Sequence, residues 1–509
     1  MFRLLGLLGG LSVAMDLGTG APLEESLRRS VVAVRLARLA GLSDAEVSDA
    51  LYVSLLQHLG CTAYAHELGV LWGDDIAVTR LALRTDFTRP TDVWSTWVAG
   101  LARTQRTTRA RAAARTVRLS RRMADGPRAT CEVAREAAAA IGLAHSVQEA
   151  LFHVAARWDG QGYPPTKGNM IPLSTRIMQV SFCAVLFAME GEPRTAVEQV
   201  RSRAGGELDP DLCDLLVTNA RGLLADVEDL EAYQQLLADE PDPVALVEGD
   251  RLLDVARAVG NLADLKSPWL LGHSTAVADL AAGAADRCGL HHAVAELRLA
   301  GHLHDIGMVG VSSRIWDKGA GLTVSERDQA RLHPYHGERI VARVPELADV
   351  AALVGRHHER SDGSGYHRGL TAAQLPMPAR LLAAADRYRV LVEGRPHRPA
   401  LAPVKAAAWL REEASAGRMD PDAVTAVLAE TGHAATRVRA RPAGLTGRQI
   451  EVLQLVAAGV SNPGIAERLG ISRRTAEHHV QDVYLKIGTS TRAGAALFAM
   501  DHGLLDRSG

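Results

Sequence analysis

The sequence predicts an all-α protein, and three observations carry that expectation. Apolar residues recur at three- and four-residue spacings through most of the chain. Ala, Leu, Arg and Glu dominate, and no convincing run of alternating strand residues occurs. Segments such as VVAVRLARLAGL (31–42) and VADLAAGAADRCGL (277–290) read as helices that stop at Gly-Leu. A chain of 509 residues has room for about three domains. Its 47% apolar and 23% charged residues are ordinary for a globular protein that buries a core. The net charge of −2 gives no global attraction for a polyanion, so any nucleic-acid contact must come from a local patch. The cysteines at 61, 131, 183, 213 and 288 form no CxxC pair, which fits a reducing compartment and argues against a disulfide scaffold.

The opening stretch, MFRLLGLLGGLSVAMDLG, has an apolar run that is short, broken by Gly-Gly and preceded by one Arg. It predicts a core helix rather than a signal peptide. No later stretch approaches the ~20 apolar residues that span a bilayer. The expectation is a cytoplasmic protein with no membrane partner.

A long internal repeat organises the next four hundred residues or so. Glu25-Ser26 precedes Gly41-Leu42 by the interval that separates His273-Ser274 from Gly289-Leu290. LLQHLGC (55–61) answers HLHDIGM (302–308), IPLSTRIMQVSF (171–182) answers LPMPARLLAAAD (375–386), and GELDPD (206–211) answers GRMDPD (417–422). The phrase Asp-Gly-x-Gly-Tyr appears in both, at Asp159–Tyr163 and Asp362–Tyr366. The expected organisation is a first copy over 1–236, an acidic linker with prolines over 237–250, and a second copy over 251–433. A basic tether (434–444) and a compact last domain (445–509) follow. The arginine-rich insertion RTQRTTRARAAARTVRLSRR (103–122) is expected to be a solvated helix face or a contact to the acidic surface of the other copy.

The chemistry lies in the second copy. His273, His304-Asp305, His333, His357-His358 and Asp386 give five imidazoles and two carboxylates on separate helical segments. Adjacent His-Asp and His-His pairs within apolar helices need partners when buried, and divalent metal supplies them. A donor set without thiolate favours Fe, Mn or a similar pair over structural zinc.

These residues resemble the HD-GYP subgroup of the HD-domain phosphohydrolases. The resemblance spans almost all of 273–422, in HDIG (304–307), HP..G (333–337), HHER.DG.GY (357–366), the AD of 385–386 and RPHR (395–398). It implies a helical domain that hydrolyses cyclic di-GMP at a two- or three-metal centre. Carried over, His273, His304, Asp305 and Asp386 ligate one ion. Asp305, the expected catalytic carboxylate, bridges to a second ion held by His333, His357 and His358. Arg395 and Arg398 fall at phosphate-contacting positions, which suits a guanidinium fork. Three positions depart from the pattern: Met308 replaces a lysine, His367 the proline of GYP, and Arg389 a second aspartate. Met308 can neither donate a proton nor contact phosphate.

In the first copy every ligand position is lost. Glu25 stands for His273, Gln57-His58 for His304-Asp305, Val154-Ala155 for His357-His358 and Phe182 for Asp386. The shared Asp-Gly-x-Gly-Tyr is then a backbone device that outlives the chemistry. That copy reads as a metal-free partner for pairing or regulation.

The tail predicts four short helices: about 446–458, Ser461 to Leu469, Ser472 to Lys486, and a last one from Thr491. It resembles the LuxR-type DNA-binding domain in LT.RQ.EVL.L.A.G.SN..IA..L.IS..T...HV. That resemblance places Glu477, His478 and Gln481 at major-groove positions and Arg473, Arg474, Thr475 and Lys486 at phosphates. Glu477 replaces a common lysine, and Pro463-Gly464 replaces better helix formers. The near-neutral segment suggests a homodimer reading two half-sites of double-stranded DNA. The expected function is a transcription regulator controlled by a metal-binding sensor. The alternative is an active cyclic-dinucleotide or other phosphoester phosphodiesterase with an attached DNA-binding module.

Overall fold

The computed structural model describes residues 2–432 apart from 124, 192, 226 and 228–230, then 442–457 and 460–488. Of the C-terminal tail it describes positions 495, 498, 499 and 504. The described residues are mostly helical, as the spacing predicted. Contacts divide the chain into two units, Met1–Ala434 and Ala435–Gly509.

The first copy contributes β1 (Phe2–Arg3), α1 (Leu4–Thr19), α2 (Glu25–Leu39), α3 (Asp44–Leu55), α4 (Asp75–Arg84), α5 (Arg109–Met123) and α6 (Leu173–Glu190). The second opens on β2 (Leu246–Val247) and continues through α7 (Gly249–Asp264), α8 (His273–Arg287), α9 (Val294–Leu303) and α10 (Met377–Val392). Further helices, among them Asp125–Ile141 and Pro403–Ser415, lie between and after them. The repeat is visible in the polar anchors. At the end of α1, Asp16 accepts the Ser26 N–H at 3.1 Å and also its hydroxyl. At the end of α7, Asp264 accepts the same two groups of Ser274 at 3.0 and 2.6 Å. Asp209 and Asp420 each cap the next helix and each take an arginine, Arg176 and Arg380, at 2.7 Å.

One hydrophobic core runs through both copies. Helix α1 is the expected buried helix, and its Gly-Gly has a packing reason. A Cβ on Gly10 would lie 2.7 Å from Cγ2 of Val344 in the second copy. The stretch 237–250, expected as a linker, is instead docked. Glu240 takes Arg3 at 2.7 Å and the Tyr52 hydroxyl at 3.1 Å, Asp239 takes Arg38, and β2 pairs antiparallel with β1. Asp239 and Glu240 had partners on the first copy that composition alone does not reveal. A buried ion pair, Lys266 to Asp75 at 2.6 Å, joins the copies again, with Asp75 also holding Ser312 and the Ser313 N–H. Helix α6 is long and apolar enough to cross a bilayer, yet more than half of it is buried within the fold.

The arginine-rich insertion folds as α5 over an apolar cluster of Trp72, Trp97, Ala112 and Leu119. Arg115 caps Leu71 at 2.6 Å and lies over the Trp72 ring, while Arg109, Arg111 and Arg118 face solvent.

The second unit contains α11 (Gly447–Ala457), α12 (Asn462–Leu469) and α13 (Arg473–Ile487). Ser461 and Ser472 cap the last two, accepting from Gly464 and Thr475, and Gly470 and Gly488 end them at positive φ. Residues 434–441 of the basic tether and most of the expected last helix lie outside the described residues. Ala495, Ala499 and Leu504 are buried in this unit's core.

Candidate metal centre

Local backbone geometry aims the imidazoles. The Nδ1–H of His304, His333 and His357 each donates to the carbonyl three residues earlier: Gly301 at 2.8 Å, Ala330 at 2.6 Å and Val354 at 2.6 Å. Each ring is thereby held in the tautomer that leaves the Nε2 lone pair facing inward. Two donor clusters result, one of His273, His304 and Asp305, the other of His333, His357 and His358. Among the described residues, both such clusters of the chain lie in the second copy. Asp305 spans them. Its Oδ2 is 3.3 Å from His304 and 3.8 Å from His273, while its Oδ1 is 3.3 Å from His333 and 3.6 Å from His357. Asp386 lies 3.2 Å from His273 Nε2 and 3.6 Å from His358 Nδ1.

Two features fit divalent cations here. The Nε2 of His304 is buried without a hydrogen-bond partner. The Nε2 atoms of His333 and His357 face each other at 3.2 Å. With both Nδ1 atoms donating, those are opposed lone pairs, an arrangement that positive charge between them relieves. The titration shifts agree. Burial by itself raises the Asp305 carboxyl, but His304, His333 and His357 reverse this and hold it well below the ordinary range. Asp386 is likewise held low against its burial, by His273 first and then by the charges of His358 and His304. Burial disfavours charge on His273, yet Asp386 and Glu393 raise it to about 10. Burial and the neighbouring His357 keep His358 well below its usual value. The carboxylates recruit positive charge to the centre of the pocket.

The sequence reading missed Glu393. It accepts the His273 Nδ1–H at 2.8 Å and also takes Arg389 and Arg395. A carboxylate behind a ligating imidazole orients it and raises its basicity. The only signal for it was an acid just past the end of α10.

Of the expected phosphate contacts, Arg395 is turned onto Glu393 and the Trp269 carbonyl. Arg398 departs further: its guanidinium caps the carbonyls of Val390, Leu391, Glu393 and Pro399. The C-terminus of α10 exposes unpaired carbonyls, and the arginine satisfies them. Met308 is buried, its carbonyl accepting from the Trp316 indole, whose ring packs on His333.

The repeated phrase has one geometry in both copies. Asp159 and Asp362 accept the N–H two residues on at 2.9 Å, and Tyr163 and Tyr366 donate back to Ala155 and His358. Gly160 and Gly363 sit at φ of 80° and 79°. A Cβ on Gly162 or Gly365 would fall 2.4 Å from the backbone it crosses. In the second copy this turn stacks Tyr366 on His358, with centroids 4.8 Å apart. At the matching interior of the first copy, Arg29 lies buried on the Phe182 ring, 3.3 Å from His58, and Glu25 is paired with Arg80.

On α13, Arg473, Arg474, Thr475, His478 and Gln481 are exposed along the helix. Glu477 bonds Arg473 at 3.1 Å. Lys486, expected at a phosphate, is instead anchored within its own unit, on the Gly444 carbonyl and Gln449 at 2.9 Å each. Gln449 is buried there, and the ammonium supplies its donor.

A helical scaffold that gathers five imidazoles around Asp305 and Asp386 is the arrangement of an HD domain, and the HD domain family matches residues 257–423. The family of bacterial regulatory proteins of the luxR type matches 443–499. The chain therefore contains an HD domain over 257–423 and a LuxR-type regulatory domain over 443–499, and its homologues include HD-GYP phosphodiesterases. The 3'3'-cGAMP-specific phosphodiesterase 3 of Vibrio cholerae is 28% identical over 84% of this chain and 94% of its own. A crystal structure of a cyclic GMP-AMP phosphodiesterase from V. cholerae covers 84% of this chain and 97% of its own, with a TM-score of 0.57 at 24% identity; it bears on the fold alone. The transcriptional regulatory protein MctR of Rhizobium johnstonii is 45% identical over 13% of this chain and 30% of its own.

Proposed function

We propose that the chain is a cytoplasmic transcription regulator whose second HD copy binds and cleaves a cyclic dinucleotide at a pair of divalent ions, iron or manganese. The observation that carries this is the Asp305 carboxylate, which offers one oxygen to each donor cluster. His273, His304, Asp305 and Asp386 would hold one ion, and His333, His357 and His358, with Asp305, the other. Such a pair, when bound, activates water and stabilises both the attacking and leaving oxygens of an in-line phosphoryl displacement. The chain's own part is to aim the Nε2 atoms through the three carbonyls and to hold His273 by Glu393. The Tyr366 ring packs on His358 and fixes its place at the edge of the site. A relative aligned over 84% of this chain, named for 3'3'-cGAMP, supports a cyclic dinucleotide as the ligand class. In this reading residues 1–236 regulate, 251–433 hold the centre, and 445–509, as a homodimer, bind two half-sites of DNA through α13.

A second reading, sensing without turnover, is favoured by Met308. The buried thioether supplies neither the proton nor the phosphate contact that a lysine would.

One experiment separates them. Anaerobically purified wild type and Asp305→Asn are compared by elemental analysis, then assayed on 3'3'-cGAMP and cyclic di-GMP. About two metals per chain with turnover, both lost in the variant, supports the enzyme; metal without turnover supports the sensor. Metal-free wild type overturns both.

A further inference from the structure

The first copy has lost the ligand residues but kept a space where they would meet. It holds a partly open cavity of about 580 Å³ whose walls include Gln57, His58, Gln179 and Phe182. A second chamber of about 550 Å³ adjoins it, sharing Cys61, Leu83, Phe87 and Ala155, and reaches Trp97 and Met123 beneath α5. Each has the size of a small-molecule site, and the second is walled chiefly by apolar side chains.

Two observations define the occupant. Gln57 is 8% exposed, and its amide oxygen is buried without a hydrogen-bond partner. A buried acceptor of this kind is costly to leave unmade and is completed by a donor N–H or O–H. The arginines at the polar end are already neutralised, Arg157 by Asp86 and Asp159, Arg203 by Asp92 and Glu207. The cavity therefore offers no free positive charge to select an anion, which sets it apart from the phosphate chemistry proposed for the second copy.

We infer that the first copy is a binding site for an uncharged, mostly apolar small molecule that donates one hydrogen bond to Gln57. Its body occupies the chamber under α5, and its donor reaches the amide. Helix α4 gives this site a mechanical address. Ala82 and Leu83 line the cavity, while Asp75 at the other end of the helix holds Lys266, Ser312 and Ser313 of the second copy. A ligand against Leu83 touches the helix that braces the second copy.

The test titrates the full-length chain with N-phenyl-1-naphthylamine, an uncharged aromatic amine with one N–H donor whose emission rises in apolar surroundings. The expected result is saturable binding of one probe per chain. Ala155→Trp, which fills the junction of the two chambers, removes the saturable signal at an unchanged thermal midpoint. Gln57→Leu weakens binding roughly three- to tenfold, the loss of one hydrogen bond. If Ala155→Trp does not fold, Leu83→Trp fills the same junction from α4. Absence of saturable binding, or binding that a folded filling variant leaves unchanged, overturns the inference.

Discussion

Asp16 holds Ser26 in the first copy as Asp264 holds Ser274 in the second, and Asp159 and Asp362 close the same turn. Between these matched anchors the interiors share almost nothing. One centres on Asp305 and five imidazoles; the other holds Arg29 against Phe182 beside an open cavity. The frame is specified by short-range bonds, caps and glycine turns that do not depend on what lies inside. Interior chemistry can therefore change or vanish while the helices keep their places.

The comparison can be broken most sharply at its centre. Asp305→Asn is expected to empty both donor clusters, because the shared carboxylate loses its charge and one of its two ligating oxygens. His58→Asp, the matching change in the first copy, gains no metal, since Phe182 and Glu25 supply no site around it. Metal content of the two variants reads this directly, and loss of less than one ion per chain in Asp305→Asn contradicts the bridging role.

The junction between the copies comes next. Lys266→Met strands Asp75 in a buried site and is expected to cost about 3–5 kcal/mol in chemical denaturation. Lys266→Met/Asp75→Leu should recover most of that, and equal instability of the double variant would argue against an ion-pair origin.

Smaller effects sharpen the shared turn. Gly162→Ala and Gly365→Ala each force a Cβ onto backbone at 2.4 Å. Each is expected to cost about 1–3 kcal/mol of stability, by overpacking. Only Gly365→Ala should also lower metal content, because only its turn carries Tyr366 against His358.

The mildest test is a pH dependence. Burial pushes the Asp16 carboxyl up to about 7, the Ser26 bond and Arg29 offsetting it only in part; Asp264 reaches about 6. The folded state then keeps a proton that the unfolded chain has released. Asp16 thus makes stability fall as pH rises from about 4 to about 7, by up to about 1.4 kcal/mol per pH unit. Asp16→Asn should flatten that slope in unfolding midpoints taken at pH 5 and pH 7, and an unaltered slope would assign it to other groups.

Much of this was legible in the linear order. Helical periodicity gave the fold class, and the repeated phrase marked the duplication because a glycine turn writes itself into contiguous residues. The second copy's histidines and aspartates stood out as pairs, and the structure brings them together. What stayed hidden depends on long-range contact. Glu393 gains its place from His273, 120 positions away. Arg398 and Lys486 looked free for phosphate until the carbonyls and amide that occupy them were visible. The acidic stretch around Glu240 read as a tether because its partners, Arg3 and Tyr52, lie far upstream. A cavity is an absence of side chains, and no motif records it.

The seat of α1 has a consequence for how the chain is made. Its Gly10 face meets Val344, and Phe2–Arg3 pairs with Leu246–Val247, so part of the seat of α1 is made by residues more than two hundred positions later. At about 5–20 residues per second, translation delivers those residues only after tens of seconds. Throughout that interval α1 can close against Leu27 and Tyr233 of its own copy, while its Gly10 face stays open. The first copy therefore completes its packing only once the second copy has been made.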